Sequence, residues 1–188
     1  MIMDEWSNPE YVQTSLRKLN IKNKCDYRVV LKAIKILNDP VLLEHDKYDC
    51  LFSVFFEEYP QTEEMQEALE GIYQIINTTY GQNEPIKSYE AGEKLMDWHK
   101  DFKYIAPPVS RVLGYDVRDP NKTTHWNSLV GAYLEIGECF FSQIVSMRQK
   151  MRSGKKLEDW EREFVTKNYE LIVLDADSDE DNEYLKGG

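Results

Sequence analysis

Two carboxylates flank an imidazole at Asp97, His99 and Asp101, within "DWHKDFKYIAPPVSRVLGYDVRD". These are side-chain types that hold a divalent metal or move protons. Their spacing argues against a shared ion. On a helix, residues four apart share a face, so Asp97 and Asp101 meet while His99 projects elsewhere. His45 and Asp49 have the better spacing, yet no third ligand stands near them, and capping or surface pairing is the simpler role. Cys25, Cys50 and Cys139 lie far apart, with no CxxC pair. There is no GxSxG turn and no HExxH helix, and the glycines are too scattered to form a phosphate loop. With 34 Asp and Glu residues, chance carboxylate pairs are too common to mark an acid–base cleft. The expectation is a protein without catalytic, metal or cofactor residues, working by binding.

Composition narrows the partners. The 188-residue chain carries a net charge of -11, with 41% hydrophobic and 30% charged residues. Nucleic-acid binding draws its affinity from counterions released by clustered Lys and Arg. A nucleic acid or an anionic membrane surface is therefore the wrong partner. The N-terminus lacks the basic and apolar regions of a signal peptide, and no apolar run reaches membrane-spanning length. An odd number of dispersed cysteines suits a reducing cytoplasm.

The elements that would carry these residues are helical. Residues 1–25 read as a polar lead-in. Asp26 is a good N-cap for a helix with Tyr27, Val30, Leu31, Ile34 and Leu37 on one face, ended by Asn38, Asp39 and Pro40. A second helix starts near Asp46, with Tyr48, Leu51, Phe52 and Phe55 in line and Pro60 beyond it. A third follows Thr62, its first turn holding Glu63 and Glu64, where acid suits the helix dipole. Ser88 caps the next helix. Pro107 and Pro108 predict a break near Ala106 and a new short helix to Leu113, stopped by Gly114. On this reading the opening stretch is a corner between helices, its acids facing water. Thr124 caps a helix with Trp126, Leu129, Val130, Tyr133 and Ile136. The next aligns Phe140, Ile144, Met147 and Met151. No alternation supports a sheet. The fold class is thus all-α, a compact bundle of about six to eight short helices, with one helical domain over residues 26–174.

Two C-terminal features could serve binding. The last helix, Leu157 to Ile172, either packs on the core or presents Trp160, Phe164, Leu171 and Ile172 to a partner chain. Residues 175–188, "DADSDEDNEYLKGG", hold too little apolar material to offset the entropy of ordering and predict an acidic, flexible tail. Such a tail solvates the chain, or shields a sticky surface.

Three segments in order, "DYRVVLKAIKILNDP", "MDWHKDFKYIAPPVSRVLGYDVRDP" and "THWNSLVGAYLEIGECFFSQIVSMRQKMRSGKKL", resemble a family of tail-assembly chaperones. That family is encoded by siphophages and prophages of Gram-positive bacteria. The resemblance covers residues 26–172 and is most specific at His125, Trp126 and Phe141–Arg148. One position departs: many members carry a second aromatic after the Trp, where this chain has Asn127. The resemblance implies an all-helical protein of the host bacterial cytoplasm that binds the phage tape measure protein and keeps it soluble until the tail tube polymerises. A chaperone of this kind would also meet the major tail protein, and a protein that coats a filament is expected to contact its own copies. It transfers no catalytic residues. A minor structural protein retained in the tail is the alternative.

Overall fold

The computed structural model describes residues 8–77 and 95–174. It is helical but for one two-stranded hairpin, so the all-α reading holds. The elements fall into two compact units. One comprises Met1–Lys87 with Val117–Leu134, the other Ser88–Asp116 with Glu135–Gly188. The expected acidic tail and the Ser88 cap lie outside the described residues.

The first unit opens with β1 (Tyr11–Gln13) and β2 (Lys18–Asn20), antiparallel, with Val12 opposite Leu19. These strands were not expected from the sequence. Three residues each are too few to display alternation, and only Val12 and Leu19 turn inward, each 1% exposed. Asn23, Lys24 and Cys25 then run through the left-handed region, with φ of 50, 53 and 58°. The turn is held by the Trp126 N–H donating to the Cys25 carbonyl at 2.9 Å. Burial and the neighbouring Asp26 push the Cys25 thiol up to about 12, so it is protonated at neutral pH.

Asp26 caps α1 (Tyr27–Leu37) as predicted, accepting from the Arg28 N–H at 2.9 Å. It also accepts from the Thr124 N–H at 2.8 Å. Arg28 donates to the carbonyls of Val117, Asp119 and Lys122, tying that returning segment to α1. α2 (Glu44–Phe55) and α3 (Met65–Asn77) follow, with Leu51, Phe52, Phe55, Ile72 and Ile75 buried. Glu64, read as a first-turn acid, is wholly buried before α3. Burial pushes its carboxyl up, but donation from the Gln61 N–H, the Thr14 hydroxyl and Arg17 outweighs this, and the carboxyl ends below its usual range.

α5 (Trp126–Leu134) starts one residue later than its predicted cap implies. His125 is the capping residue: Nδ1 accepts from the Asn127 N–H at 3.0 Å, and its carbonyl accepts from the Leu129 N–H at 3.0 Å. An accepting Nδ1 places the proton on Nε2, which meets the Pro9 carbonyl at 3.1 Å. His125 therefore serves twice, as a helix cap and as an anchor for the chain entering the hairpin.

Candidate partner-binding site

The second unit contains α4 (Trp98–Leu113), α6 (Phe140–Arg152), α7 (Asp159–Lys167) and α8 (Tyr169–Ile172). Asp97 caps α4, accepting from the His99 and Lys100 N–H groups at 2.8 and 3.0 Å. The predicted break at Ala106 does not occur. α4 runs unbroken through Pro107 and Pro108 and ends at Gly114, whose φ of 76° closes it. The reason is tertiary. Ile105, Ala106 and Val109 are buried on one continuous face, and a corner there would split that face. The cost falls on the carbonyls of Lys103 and Tyr104, which lose their helical donors because proline has no N–H.

The acids of the opening stretch do not both face water either. Asp101 is 1% exposed and forms a two-point pair with Arg148 of α6, at 2.7 and 2.8 Å. The same guanidinium donates to the carbonyls of Leu95, Leu171 and Ile172. One buried cation thus joins α4, α6 and the end of α8, and supplies donors to carbonyls that a helix end leaves open. Lys150 pairs with buried Glu161. Donation from Lys150 and from the Glu158 N–H holds that carboxyl below its usual range, against its burial.

Between α4 and α6 lies an open groove of about 350 Å³. Tyr104, Pro107, Pro108 and Phe140 line it, and Lys103 and Arg111 bring positive charge to it. The Tyr104 and Phe140 ring centroids are 5.7 Å apart. Phe140 is 44% exposed although α6 begins there, because Phe141 rather than Phe140 turns into the core. The groove residues also include Lys103 and Tyr104, the two whose carbonyls lost their donors. Such a surface offers aromatic faces, proline rings and cations to an apolar helix with acidic flanks.

The four residues that the sequence singled out for partner binding separate. The predicted helix divides at Asn168 into α7 and α8. Ile172 is buried at 3% exposure with Ile144, Met147 and Val165, and Leu171 packs half-buried against that cluster. Phe164 packs on the same cluster and lies 6.0 Å from the Phe140 ring. Trp160 alone stands out, 58% exposed, its Nε1 donating to Glu158 at 2.8 Å. Phe164 is thus the one candidate beside the groove. The groove itself was missed because its proline pair read as a helix break.

The other chemical candidates resolve simply. His45 meets Asp46 at 3.2 Å, and Asp49 accepts from the Tyr59 hydroxyl. Among the described residues no His, Cys, Asp and Glu cluster could hold a metal ion. No described helix is long and apolar enough to cross a membrane.

Comparison with curated proteins and with solved structures gives no match. A family model does match, from the first residue of β1 to two residues past α8. By that match over residues 11–174, this chain belongs to the bacteriophage family described as Bacteriophage Gp15 protein.

Proposed function

We propose that this phage protein is a tail-assembly chaperone. It binds the tape measure protein in the host bacterial cytoplasm and keeps it soluble until the tail tube polymerises. The α4–α6 groove carries this reading. A tape measure is a very long helical chain with an apolar stripe, and such a stripe aggregates when exposed. Tyr104, Phe140 and the two prolines offer it an apolar seat, and Lys103 and Arg111 place positive charge at its rim. The net charge of -11 supports the solubility of a coated complex. The major tail protein, which takes over the tape measure, is a second partner in this scheme.

Co-expression tests it. The cognate tape measure should move from the insoluble to the soluble fraction and co-purify with this protein. A tape measure equally soluble alone, with no complex formed, ends the proposal. Mass spectrometry of purified virions separates the alternative, since a minor tail component persists there in stoichiometric amount.

A further inference from the structure

An apolar tip projects between α1 and α2. Val41 is 85% exposed and Leu43 62%. The tip is preformed rather than loose. Asp39 Oδ1 accepts from the N–H groups of Val41 and Leu42, at 2.9 and 3.3 Å, and Leu42 is half-buried beneath the turn. Lys47 Nζ donates to the Leu37 carbonyl at 3.0 Å and ties the start of α2 to the end of α1.

Leu43 contradicts two local rules. It is the N-cap of α2, its carbonyl accepting from the Lys47 N–H at 2.9 Å, yet its side chain has no oxygen to offer the first turn. Ser, Thr, Asp or Asn would be worth about 1 kcal/mol there. An exposed leucine also gains nothing from the core. A residue that serves neither its helix nor the core marks a surface held for another use.

The α4–α6 groove is the complement of this tip. Asp39, Glu44 and Asp46 flank Val41 and Leu43, and residues 39–46 include no Lys or Arg. In the groove the signs reverse. Lys103 and Arg111 accompany the rings of Tyr104 and Phe140, and no described acid lines it. Asp101, the carboxylate of α4, is spent on Arg148.

We infer that the Val41–Leu43 tip of one copy seats in the α4–α6 groove of a second copy. Val41 and Leu43 rest against Tyr104 and Phe140, and the flanking acids face Lys103 and Arg111. The surfaces are unlike, so each chain has one tip and one groove to offer. So few side chains bury far less than the roughly 1,200 Å² of a stable complex, which sets a weak Kd of about 0.1 mM. On the chaperone reading a tape measure helix displaces the tip; the contact itself does not rest on that reading.

Sedimentation velocity of the full chain alone, from about 10 µM to about 1 mM, tests the contact. Wild type should gain mass with concentration. A tip variant, Val41→Ser with Leu43→Ser, and a groove variant, Phe140→Asp, should each raise Kd at least about tenfold and stay monomeric. Each lacks one surface and keeps the other, so a 1:1 mixture of the two should form pairs and nothing larger. The tip variant should melt no lower than wild type, since serine caps α2 better than leucine, which separates lost contact from lost folding. Phe140→Ser is a milder groove variant with the same expected loss. Wild type that stays monomeric at about 1 mM overturns the inference. So does association that survives either variant, or a mixture that stays monomeric. Without any tape measure in the cell, none of these results bears on the co-expression test.

Discussion

Arg148 and Asp101 face each other through two parallel hydrogen bonds of 2.7 and 2.8 Å, with both side chains 2% exposed. The guanidinium spends its remaining donors on the carbonyls of Leu95, Leu171 and Ile172. Removing one partner strands a buried charge. Arg148→Met should cost about 3–5 kcal/mol in urea unfolding. Arg148→Lys should recover little, because an ammonium lacks the planar fork. Asp101→Leu combined with Arg148→Met should cost less than the sum of the single changes, since no charge is then left unpaired.

Gly71 of α3 sits against Val12 of β1. A Cβ at residue 71 would come within 2.3 Å of Val12 Cγ1. Gly71→Ala ordinarily stabilises a helix by about 1 kcal/mol. Here it should destabilise by about 1–3 kcal/mol, because the strand must retreat. Thermal unfolding of Gly71→Ala, Val12→Ala and the double variant should reveal coupling, the alanine at 71 costing far less once Val12 is trimmed.

His125 should make stability depend on pH near neutrality. Burial holds its imidazole below 6.5, although the Pro9 carbonyl and the charges of Glu10 and Asp26 favour protonation. Below that value the unfolded chain binds a proton that the folded chain resists, so stability is full above it and declines as pH falls through it. Protonating Nδ1 would also oppose the Asn127 N–H and break the cap of α5. His125→Asn keeps an accepting cap atom and does not titrate. Urea midpoints between pH 7.5 and 5.5 should fall in wild type and stay nearly level in that variant.

Asn127 follows Trp126 in the first turn of α5. Its Oδ1 is buried without a hydrogen-bond partner among the described residues. Asn127→Leu removes that acceptor and improves helix propensity. It should stabilise the protein by about 1 kcal/mol, read as a raised unfolding midpoint.

The groove and the exposed Trp160 make opposite predictions for the partner. Phe140→Asp places a charge beside Tyr104 and should reduce the co-purified tape measure by at least about tenfold, the scale of one well-packed aromatic anchor. Trp160→Ala should leave yield near wild type. The reverse pattern would move the binding surface to α7. Circular dichroism of Phe140→Asp should match wild type, since that side chain is 44% exposed.

Helical periodicity was legible wherever one face is apolar and both ends are capped, as in α1, where Asp26 opens the helix and Asn38 closes it. The same logic identified Gly114 as a stop. Local rules failed where distant residues set the outcome. Pro107 and Pro108 satisfy every criterion for a break, yet the buried face of Ile105, Ala106 and Val109 keeps α4 whole. Asp101 reads as a surface acid until Arg148, 47 residues on, arrives beside it. Phe140 and Phe141 are adjacent aromatics, and only packing decides which enters the core and which lines the groove.

The sequence by itself determined the helical class and most helix positions, because these rest on periodicity and caps within short windows, and its likeness to other sequences over residues 11–174 determined the family. Only the tertiary structure decided which apolar residues remain exposed in the groove. That choice depends on what each helix meets, and the groove is made by residues from α4 and α6 that no local pattern joins.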